Sequence, residues 1–407
     1  MKIRHFGLFF VVLAVILISC HVPGAPGGDT FREAEQPETP EIPDNNENSV
    51  VNQLARLQQT ALDNGDYYID AKSDETIYLT QLISFLGRQD ITVTIQSYGK
   101  IRRVLSTGSD VTMFQVQNNN VRLILRNIIL QGHIGNNNPM VIVNPDATLE
   151  MNNDSVIRGN SGHGVSVNGG VFYMKGNASV TAISTEGVYA NNGSSINMYG
   201  DAQIHHNSGG LFLEDSTLTM NENARVHNNQ KNGGVFLTGA AAGLFMHGDS
   251  LIQYNRIFGT SGFNAGGVTA QQGSSIFMYG NARMHDNRNY SISGGGGAVT
   301  LLSGASLNMH SDGVRIGGQN FSDNSGGGGV WMQDSILKIS GGSISGNPGA
   351  TFSNRTLHLQ GPGNFAWAGT YILGVFTPVG PSRPSSITDI LVSSNGGISG
   401  VWAGLPL

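Results

Sequence analysis

The chain alternates apolar and polar residues in short runs that recur over residues 149–339. Each run ends at a fixed apolar position, which holds Ile339 in the last repeat and a methionine in the seven before it: Met151, Met174, Met198, Met220, Met246, Met278 and Met309. These positions are 23, 24, 22, 26, 32, 31 and 30 residues apart. The residue two places earlier is always apolar: Leu149, Phe172, Ile196, Leu218, Leu244, Ile276, Leu307 and Leu337. Alternation with period two predicts a β-strand with one buried face, and its recurrence at this interval predicts a solenoid.

Two further runs follow each methionine strand. A second apolar column comes six residues after most methionines, and an asparagine column three residues later: Ile157, Val180, Ile204, Val226, Ile252 and Met284, then Asn160, Asn207, Asn229, Asn255 and Asn287, with Asn347 slightly out of phase. A glycine pair then opens a third short strand, as at Gly209-Gly210 and Gly233-Gly234. Three strands and three turns in about 22–25 residues make one rung of a right-handed parallel β-helix. A propeller blade needs about 40–45 residues, and glycine and asparagine disfavour the helices of other repeats.

The predicted fold is therefore an all-β, right-handed parallel β-helix of about ten rungs over residues 66–350. The longer intervals around Met278 and Met309 predict loops at 258–264 and 287–296. Ahead of the β-helix, Ser49 caps a predicted helix within 49–65, which would cover the first open edge. The apolar residues of this helix share one face: Val50, Leu54, Leu57 and Ala61. Prolines interrupt 351–407, for which we expect irregular rungs and a cap.

The first twenty residues have the parts of an export signal. Lys2 and Arg4 precede an uncharged run of thirteen residues, 6–18. At about 1.5 Å per residue this run reaches about 20 Å, too short for a hydrocarbon core of about 30 Å. It ends in Leu17-Ile18-Ser19-Cys20, which resembles the bacterial lipobox. That resemblance implies a signal peptide at 1–19 and lipid modification of Cys20. The alternative is an ordinary exported protein whose cysteine falls there by chance.

Residues 20–48 are rich in proline and acids and contain one aromatic residue, Phe31. Such a segment has too little apolar surface to form a core, so we predict a disordered tether. With Cys20 acylated, the N-terminal lipid would attach the chain to the membrane. The predicted location is the bacterial outer membrane or cell surface.

Composition narrows the functional classes. The chain has 57 glycines among 407 residues, about twice the usual share of ~7%. Its 22 basic and 28 acidic residues give a net charge of −6, which removes any general electrostatic basis for nucleic-acid binding. The single cysteine excludes an internal disulfide and a cysteine-based metal cluster.

The repeats resemble those of a known family. Apolar-x-x-Asn tetrads, such as those ending at Asn207 and Asn255, occur beside Gly-Gly-apolar-apolar segments. They are similar to the repeats of the chlamydial polymorphic outer-membrane proteins, although they lack that family's phenylalanine. The whole chain looks like the spirochaete-type β-helix lipoproteins of pectate-lyase-like architecture. The resemblance covers about residues 65–347 and concerns the fold rather than an activity.

Many β-helix proteins are carbohydrate lyases or glycoside hydrolases, so carboxylate placement decides whether that function is expected. A turn column alternates between aspartate and asparagine: Asp154, Asn177, Asp201, Asn223, Asp249, Asn281 and Asp312. Its aspartates lie two rungs apart, about 9.6 Å, too far to share one Ca²⁺ at ~2.3–2.6 Å. That separation reaches only the outer limit for an inverting glycosidase, about 9.5 Å. The column is typical of turns, so we assign no catalytic residue and no cofactor.

The histidines form a second candidate column: His205, His206, His227 and His285. They would bind a metal only if imidazoles of adjacent rungs converged. Solvated side chains are the interpretation we adopt, so no metal site is predicted.

The middle residue of each third strand should point outward: Ser166, Tyr189, Phe212, Phe236, Thr269, Val299 and Trp331. Three successive aromatic residues predict an exposed ladder, and Tyr189, Phe212, Phe236 and Trp331 are the candidate ligand-binding residues. Stacked aromatics also stabilise a sheet by about 0.2–1 kcal/mol per pair without any ligand.

The predicted function is adhesin-like binding of host or environmental macromolecules, either a glycan or an extracellular protein. The alternatives are a carbohydrate lyase or glycoside hydrolase that uses the same groove, and a structural spacer in the envelope. The pattern predicts no oligomeric state.

Overall fold

The structure is a computed structural model. It describes residues 48–347 except 86, 107, 260–263, 292–293, 324–326 and 345–346, together with the backbone of four strands between 357 and 392. These residues form an all-β parallel solenoid of about ten turns with one short helix near its start. The predicted fold class is confirmed.

Three long sheets, called A, B and C, make up the solenoid, and between residues 66 and 344 each turn contributes its strands in the order A, B, C. Sheet A contains Asp66–Asp70, Thr92–Gln96, Val121–Arg126, Ala147–Asn152, Val171–Met174, Ser195–Met198, Thr217–Met220, Gly243–Met246, Ser275–Met278, Ser306–Met309, Ile336–Ile339, Phe365–Ile372 and Val375–Pro378. Sheet B contains Glu75–Ile77, Arg102–Ser106, Ile128–Gln131, Val156–Asn160, Ser179–Ile183, Gln203–His205, Arg225–His227, Leu251–Gln253, Arg283–His285, Arg315–Gly317 and Ser343–Ile344.

Sheet C contains Gln81–Ile83, Phe114–Val116, Val141–Val143, Val165–Asn168, Glu186–Asn191, Gly209–Glu214, Val235–Thr238, Val268–Gln271, Val299–Leu302, Val330–Gln333, Leu357–Gln360 and Ile390–Val392. Neighbouring strands are parallel throughout, except that Val375–Pro378 pairs antiparallel with Phe365–Ile372. The pairing in sheets A and C therefore continues into the proline-containing C-terminal region.

The methionine register is confirmed. Met220 pairs with Met246, which pairs with Met278, and Leu218 pairs with Leu244 in the same strands. Every methionine of the column is fully buried, as is every apolar residue two places earlier. Side chains that alternate along a strand and stack between rungs fill the interior with continuous apolar ladders.

A buried asparagine ladder runs beside sheet B. Asn207, Asn229, Asn255, Asn287, Asn320 and Asn347 are all buried. Each donates its side-chain N–H to a backbone carbonyl of the preceding rung, as Asn255 does to Val226 at 3.0 Å. Asn320 was absent from the predicted column, and it bonds Asn347 at 2.8 Å, so the two belong to successive rungs.

The turn after most of the sheet A strands between Val121 and Met278 uses the left-handed backbone region. Gly200 has φ +66, and a Cβ there would lie 3.2 Å from the backbone nitrogen of Gly176 in the rung below. Asn153 and Glu222 adopt the same conformation in other rungs, with φ 55 and 57. This backbone conformation is typical of turns. It agrees with the assignment of the Asp/Asn column, which comes just after these residues in the chain, to turns.

The helix spans Val50–Thr60, and Ser49 accepts a hydrogen bond from the backbone N–H of Asn52 at 3.1 Å. Val50, Leu54 and Leu57 of the helix, together with Ala61 at its C-terminal cap, are buried in the same cluster as the first rungs. At its N-terminus, the backbone N–H of Val50 donates to a carboxylate oxygen of Glu75 at 2.7 Å. Burial raises the pKa of Glu75, although this hydrogen bond opposes the shift.

The three long repeats contain a fourth sheet, called sheet D, where loops were predicted. It consists of Arg256–Phe258, Arg288–Tyr290 and Phe321–Ser322. The prediction of loops at 258–264 and 287–296 is therefore wrong at residue 258 and at 288–290, which are strand residues because the insertions stack on one another as the rungs do. Asn289 and Ser322 of this sheet are fully buried.

Candidate functional site

The outward column of sheet C is the candidate site. The strand register places Ser166, Tyr189, Phe212, Phe236, Thr269, Thr300 and Trp331 in one line. Val299 was predicted for the sixth position, but its side chain points into the core and is fully buried. Val299 pairs with Val268, so Ala298 takes the place that Gly267 has in the preceding repeat, and counting from the Gly296-Gly297 pair displaced the predicted register by one residue.

The aromatic residues of this column stack. The ring centroids of Tyr189 and Phe212 are 5.3 Å apart with planes at 12°, and those of Phe212 and Phe236 are 5.0 Å apart at 8°. His163 stacks on Tyr189 at 5.2 Å and extends the row by one ring. Near-parallel rings at these distances cover much of one another's faces, so the ladder presents mainly ring edges to solvent.

The exposed ladder ends at Phe236. Tyr189, Phe212 and Phe236 are half-buried, whereas Thr269, Thr300 and Trp331 are 2%, 0% and 1% exposed. The chain that precedes the strands of Thr269 and Thr300 lies over their outer faces: the backbone N–H of Ala265 donates to the Thr269 hydroxyl at 2.8 Å, and that of Gly296 donates to the Thr300 hydroxyl at 2.7 Å. Trp331 therefore occupies the predicted column but does not extend the exposed surface.

A cavity of about 210 Å³ opens beside the end of the ladder. Its apolar lining is Leu211, Phe212, Phe236 and Ile257, its polar lining is Glu186, Asn232 and Asn264, and Gly209 is the remaining lining residue. Ile257 is the middle residue of the first strand of sheet D, and a β-bridge joins it to Asn232. The inserted segment thus forms one wall of the cavity, and the aromatic ladder forms another.

Two carboxylates border the ladder. Glu186 accepts a hydrogen bond from the side chain of Asn232 at 3.0 Å, and its other oxygen lies 3.4 Å from Nδ1 of His163. Glu214 accepts a hydrogen bond from the Tyr189 hydroxyl at 3.4 Å. Burial, followed by the charge of Glu214, raises the pKa of Tyr189. The phenol therefore stays protonated and able to donate at neutral pH.

These carboxylates do not form the acid pair of a glycosidase. Glu186 pairs with Gly209 and lies at the start of its strand, whereas Glu214 pairs with Thr238 at the end of the next. Five residues at about 3.3 Å each separate them along the strand direction by about 16 Å, beyond the ~5–9.5 Å that glycosidases use.

The side chains of the Asp/Asn turn column form hydrogen bonds with one another between adjacent rungs. The side chain of Asn177 donates to Asp154 at 3.0 Å, and that of Asn281 donates to Asp249 at 3.1 Å. Alternation of amide and carboxylate on adjacent rungs thus pairs a donor with an acceptor and separates like charges.

The histidine column is compact. The rings of His205 and His227 stack at 5.0 Å, and Nδ1 of His205 lies 2.6 Å from Nδ1 of His206. Burial, followed by the neighbouring histidines, lowers the pKa of His205 and of His227 to about 4. His285 instead contacts Asp286 at 2.5 Å. Among the described residues, no group of three or more His, Cys, Asp or Glu side chains is arranged to hold a metal ion.

A second cavity, of about 350 Å³, lies on the outer face of sheet A and is lined by Asp90, Thr92, Asn120, Arg122, Thr148 and Tyr173. Beside it, the buried Glu150 accepts hydrogen bonds from Arg122 and from Lys175, the latter at 3.0 Å. Burial would raise the pKa of Glu150, but these cations and Asn152 outweigh it and lower the pKa. This carboxylate is held ionised between two cations.

Sequence reasoning missed two features of the surface. Glu186, Asn232 and Asn264 form no recognisable sequence motif, because they are far apart in the sequence and belong to different rungs. The inserted segment brings them together. A second aromatic cluster on sheet A was also missed, in which Phe245 stacks on Phe277 at 5.1 Å and Tyr279 stacks on His247 at 4.8 Å and His310 at 4.5 Å. The sequence did contain a signal for this cluster, because His247, Tyr279 and His310 directly follow methionines of the column.

The fold and the site together define a parallel β-helix protein with an aromatic ladder on one face. Comparisons with protein-family models, with curated proteins and with solved structures found no match for this chain. The similarity to chlamydial repeats and spirochaete-type lipoproteins therefore stays a prediction.

Cys20 and the predicted signal and tether lie outside the described residues. Within the described part, no helix has the length and apolar character needed to cross a membrane.

Proposed function

We propose that this protein is a lipid-anchored β-helix of the bacterial surface that binds an extended host or environmental macromolecule along sheet C. The observation that carries the proposal is the half-exposed ladder of Tyr189, Phe212 and Phe236, which ends at a cavity with a carboxylate and two amides in its lining. The proposed ligand is a glycan or an extracellular protein.

Rigidity supports a binding role. The three rings are held on adjacent parallel strands and against one another, so they lose little conformational entropy when a ligand binds. The cavity adds directional hydrogen-bonding groups next to apolar surface, which is the usual composition of a ligand site.

Membrane attachment comes from the N-terminal sequence. A lipid on Cys20 would hold the chain at the membrane, and residues 21–48 would set the distance to the β-helix. We propose the outer membrane or cell surface as its location.

Binding is tested with the purified full chain on an array of glycans and extracellular-matrix proteins. Replacing Tyr189, Phe212 and Phe236 together by Ser should weaken binding of any retained ligand by about 30-fold or more, since a true anchor contributes at least about 2 kcal/mol. The matched control is Phe245→Ser with Phe277→Ser, which removes a similar stacked pair from sheet A.

The circular-dichroism spectrum of both variants should stay β-rich. A folded triple variant that binds undiminished would show that the ladder only packs the sheet. Absence of any ligand for the wild-type chain would favour the envelope-spacer alternative, and cleavage of an arrayed glycan would favour the enzyme alternative.

A further inference from the structure

The groove along the ladder is closed at one end and open at the other. Beyond Phe236 the column is covered, because the chain before each later strand lies over Thr269 and Thr300. In the opposite direction the column continues from Tyr189 to Ser166 and Ile142, neither of which is buried. An extended ligand can leave the groove toward Ser166 but meets Ile257 and Asn264 at the other end.

The size of the cavity limits what fits at the closed end. Its volume of about 210 Å³ is below the ~300–1,000 Å³ typical of pockets for drug-sized ligands. It therefore has room for one ring-sized unit, and the rest of a chain must lie outside it along the ladder.

The lining favours a hydroxylated ring. Phe212, Phe236 and Ile257 offer apolar surface, and Glu186 is the charged residue among the lining groups. A carboxylate has about four acceptor positions, and Glu186 is in contact with Asn232 and His163, so it can accept further hydrogen bonds from ligand hydroxyls. A sugar ring presents hydroxyl groups around its edge and C–H groups on its faces, which matches this lining.

A peptide strand gains less from the same surface. Peptides usually bind sheets by adding a strand to an open edge, where main-chain hydrogen bonds supply affinity. The strands that carry Tyr189, Phe212 and Phe236 each pair with a strand on both sides. Their backbone groups are therefore used within sheet C, and its outer face offers a peptide side-chain contacts alone.

We propose that the closed end of the ladder binds the terminal sugar unit of a neutral glycan chain, with the following units lying along Phe212 and Tyr189. This rests on the proposed binding function and narrows it to recognition of chain ends. Internal segments of a glycan are excluded because the chain cannot continue through Ile257 and Asn264.

The test uses the purified full chain on an array of linear neutral oligosaccharides of one to six units. Each oligosaccharide is immobilised once through its reducing end and once through its non-reducing end. Binding to a single presentation is the expected result. Equal binding to both presentations would overturn recognition of chain ends while leaving the groove as a glycan site. Binding to none of the oligosaccharides would overturn the glycan assignment. The extracellular-matrix proteins on the array described under the proposed function would then show whether the chain binds a protein ligand.

A pair of adjacent residues provides the matched variants. Ile257→Ala removes part of the closing wall and should weaken binding of the preferred presentation about tenfold. Phe258→Ala changes the next residue of the same strand, which is 43% exposed and does not line the cavity, and should leave binding unchanged. Equal affinities for the two variants would contradict the proposed role of the wall.

Melting temperatures of both variants show whether the insertion remains folded. If Ile257→Ala unfolds, Glu186→Gln replaces it, because this side chain is partly exposed and its shape is preserved. That variant should also weaken the preferred presentation about tenfold, and unchanged affinity would overturn the proposal.

Discussion

Asn229 donates two hydrogen bonds to one oxygen of Asn255. Its backbone N–H lies 3.1 Å from Oδ1 of Asn255, and its side-chain Nδ2 lies 2.9 Å from the same atom. Both residues are buried, so water cannot replace either bond. The same arrangement joins Asn255 to Asn287, which makes the ladder a continuous chain of bonds between rungs.

Asn255→Ala should destabilise the β-helix by at least about 3 kcal/mol, because it removes the acceptor of two buried donors of Asn229 and the side-chain bond to the carbonyl of Val226. The free energy of unfolding in urea measures this loss. Asn281→Ala is the control, since that asparagine is exposed in a turn and its loss should cost no more than about 0.5 kcal/mol. Similar losses of unfolding free energy for the two variants would show that the buried asparagine ladder contributes no more to stability than an exposed turn asparagine.

Leu244 and Phe245 test the register of sheet A. Leu244→Asp places a carboxylate in the fully buried column and should cost more than about 4 kcal/mol, with several rungs unfolding together. Phe245→Asp removes the outward stack on Phe277 and should cost only about 1 kcal/mol. Thermal melting monitored by circular dichroism compares the two variants, and equal melting temperatures would mean that the register is wrong.

Acid should weaken the fold through two half-buried histidines, His205 and His227. Burial holds the pKa of His205 and of His227 at about 4, below their value of 6.5 in the unfolded chain. Between these values the unfolded chain binds more protons, so stability falls as the pH is lowered from about 6.5 toward about 4. Urea midpoints at pH 7.5 and pH 5 measure the change.

The pH effect has an internal control. His227→Gln should reduce the difference between the two midpoints, whereas His133→Gln, at an exposed histidine, should leave it as in the wild-type chain. A pH dependence identical in all three proteins would assign acid sensitivity to other groups.

The proposed membrane attachment depends on Cys20, the single cysteine of the chain. Cys20→Ala should leave the protein without lipid, and either released or unprocessed. Metabolic labelling with a radioactive fatty acid checks this outcome, with Ser19→Ala as a control that keeps the cysteine. Label retained by the Cys20→Ala protein would refute the lipobox assignment.

The direction of each core side chain could be predicted because it is a local property. Alternation along a strand decides which residues share a face, and recurrence of the pattern aligns Met220 with Met246 and Leu218 with Leu244. The asparagine column was visible for the same reason. Val299 was assigned to the wrong column because the glycine pair before it does not keep the usual spacing to the strand. Asn320 was missed because the repeat that contains it is longer than the earlier ones.

Exposure of an outward side chain is a different property. Phe236 and Trp331 occupy the same column of sheet C, yet Phe236 is half-buried and Trp331 is buried. Alternation within a strand says that both point away from the core, but it contains no information about segments that fold over the sheet. The inserted segments cover this face at Thr269 and Thr300 and bring Ile257 and Asn264 to the end of the ladder. The line of aromatic residues was therefore readable from the sequence, whereas its closed end and its cavity arise from packing between segments of different rungs.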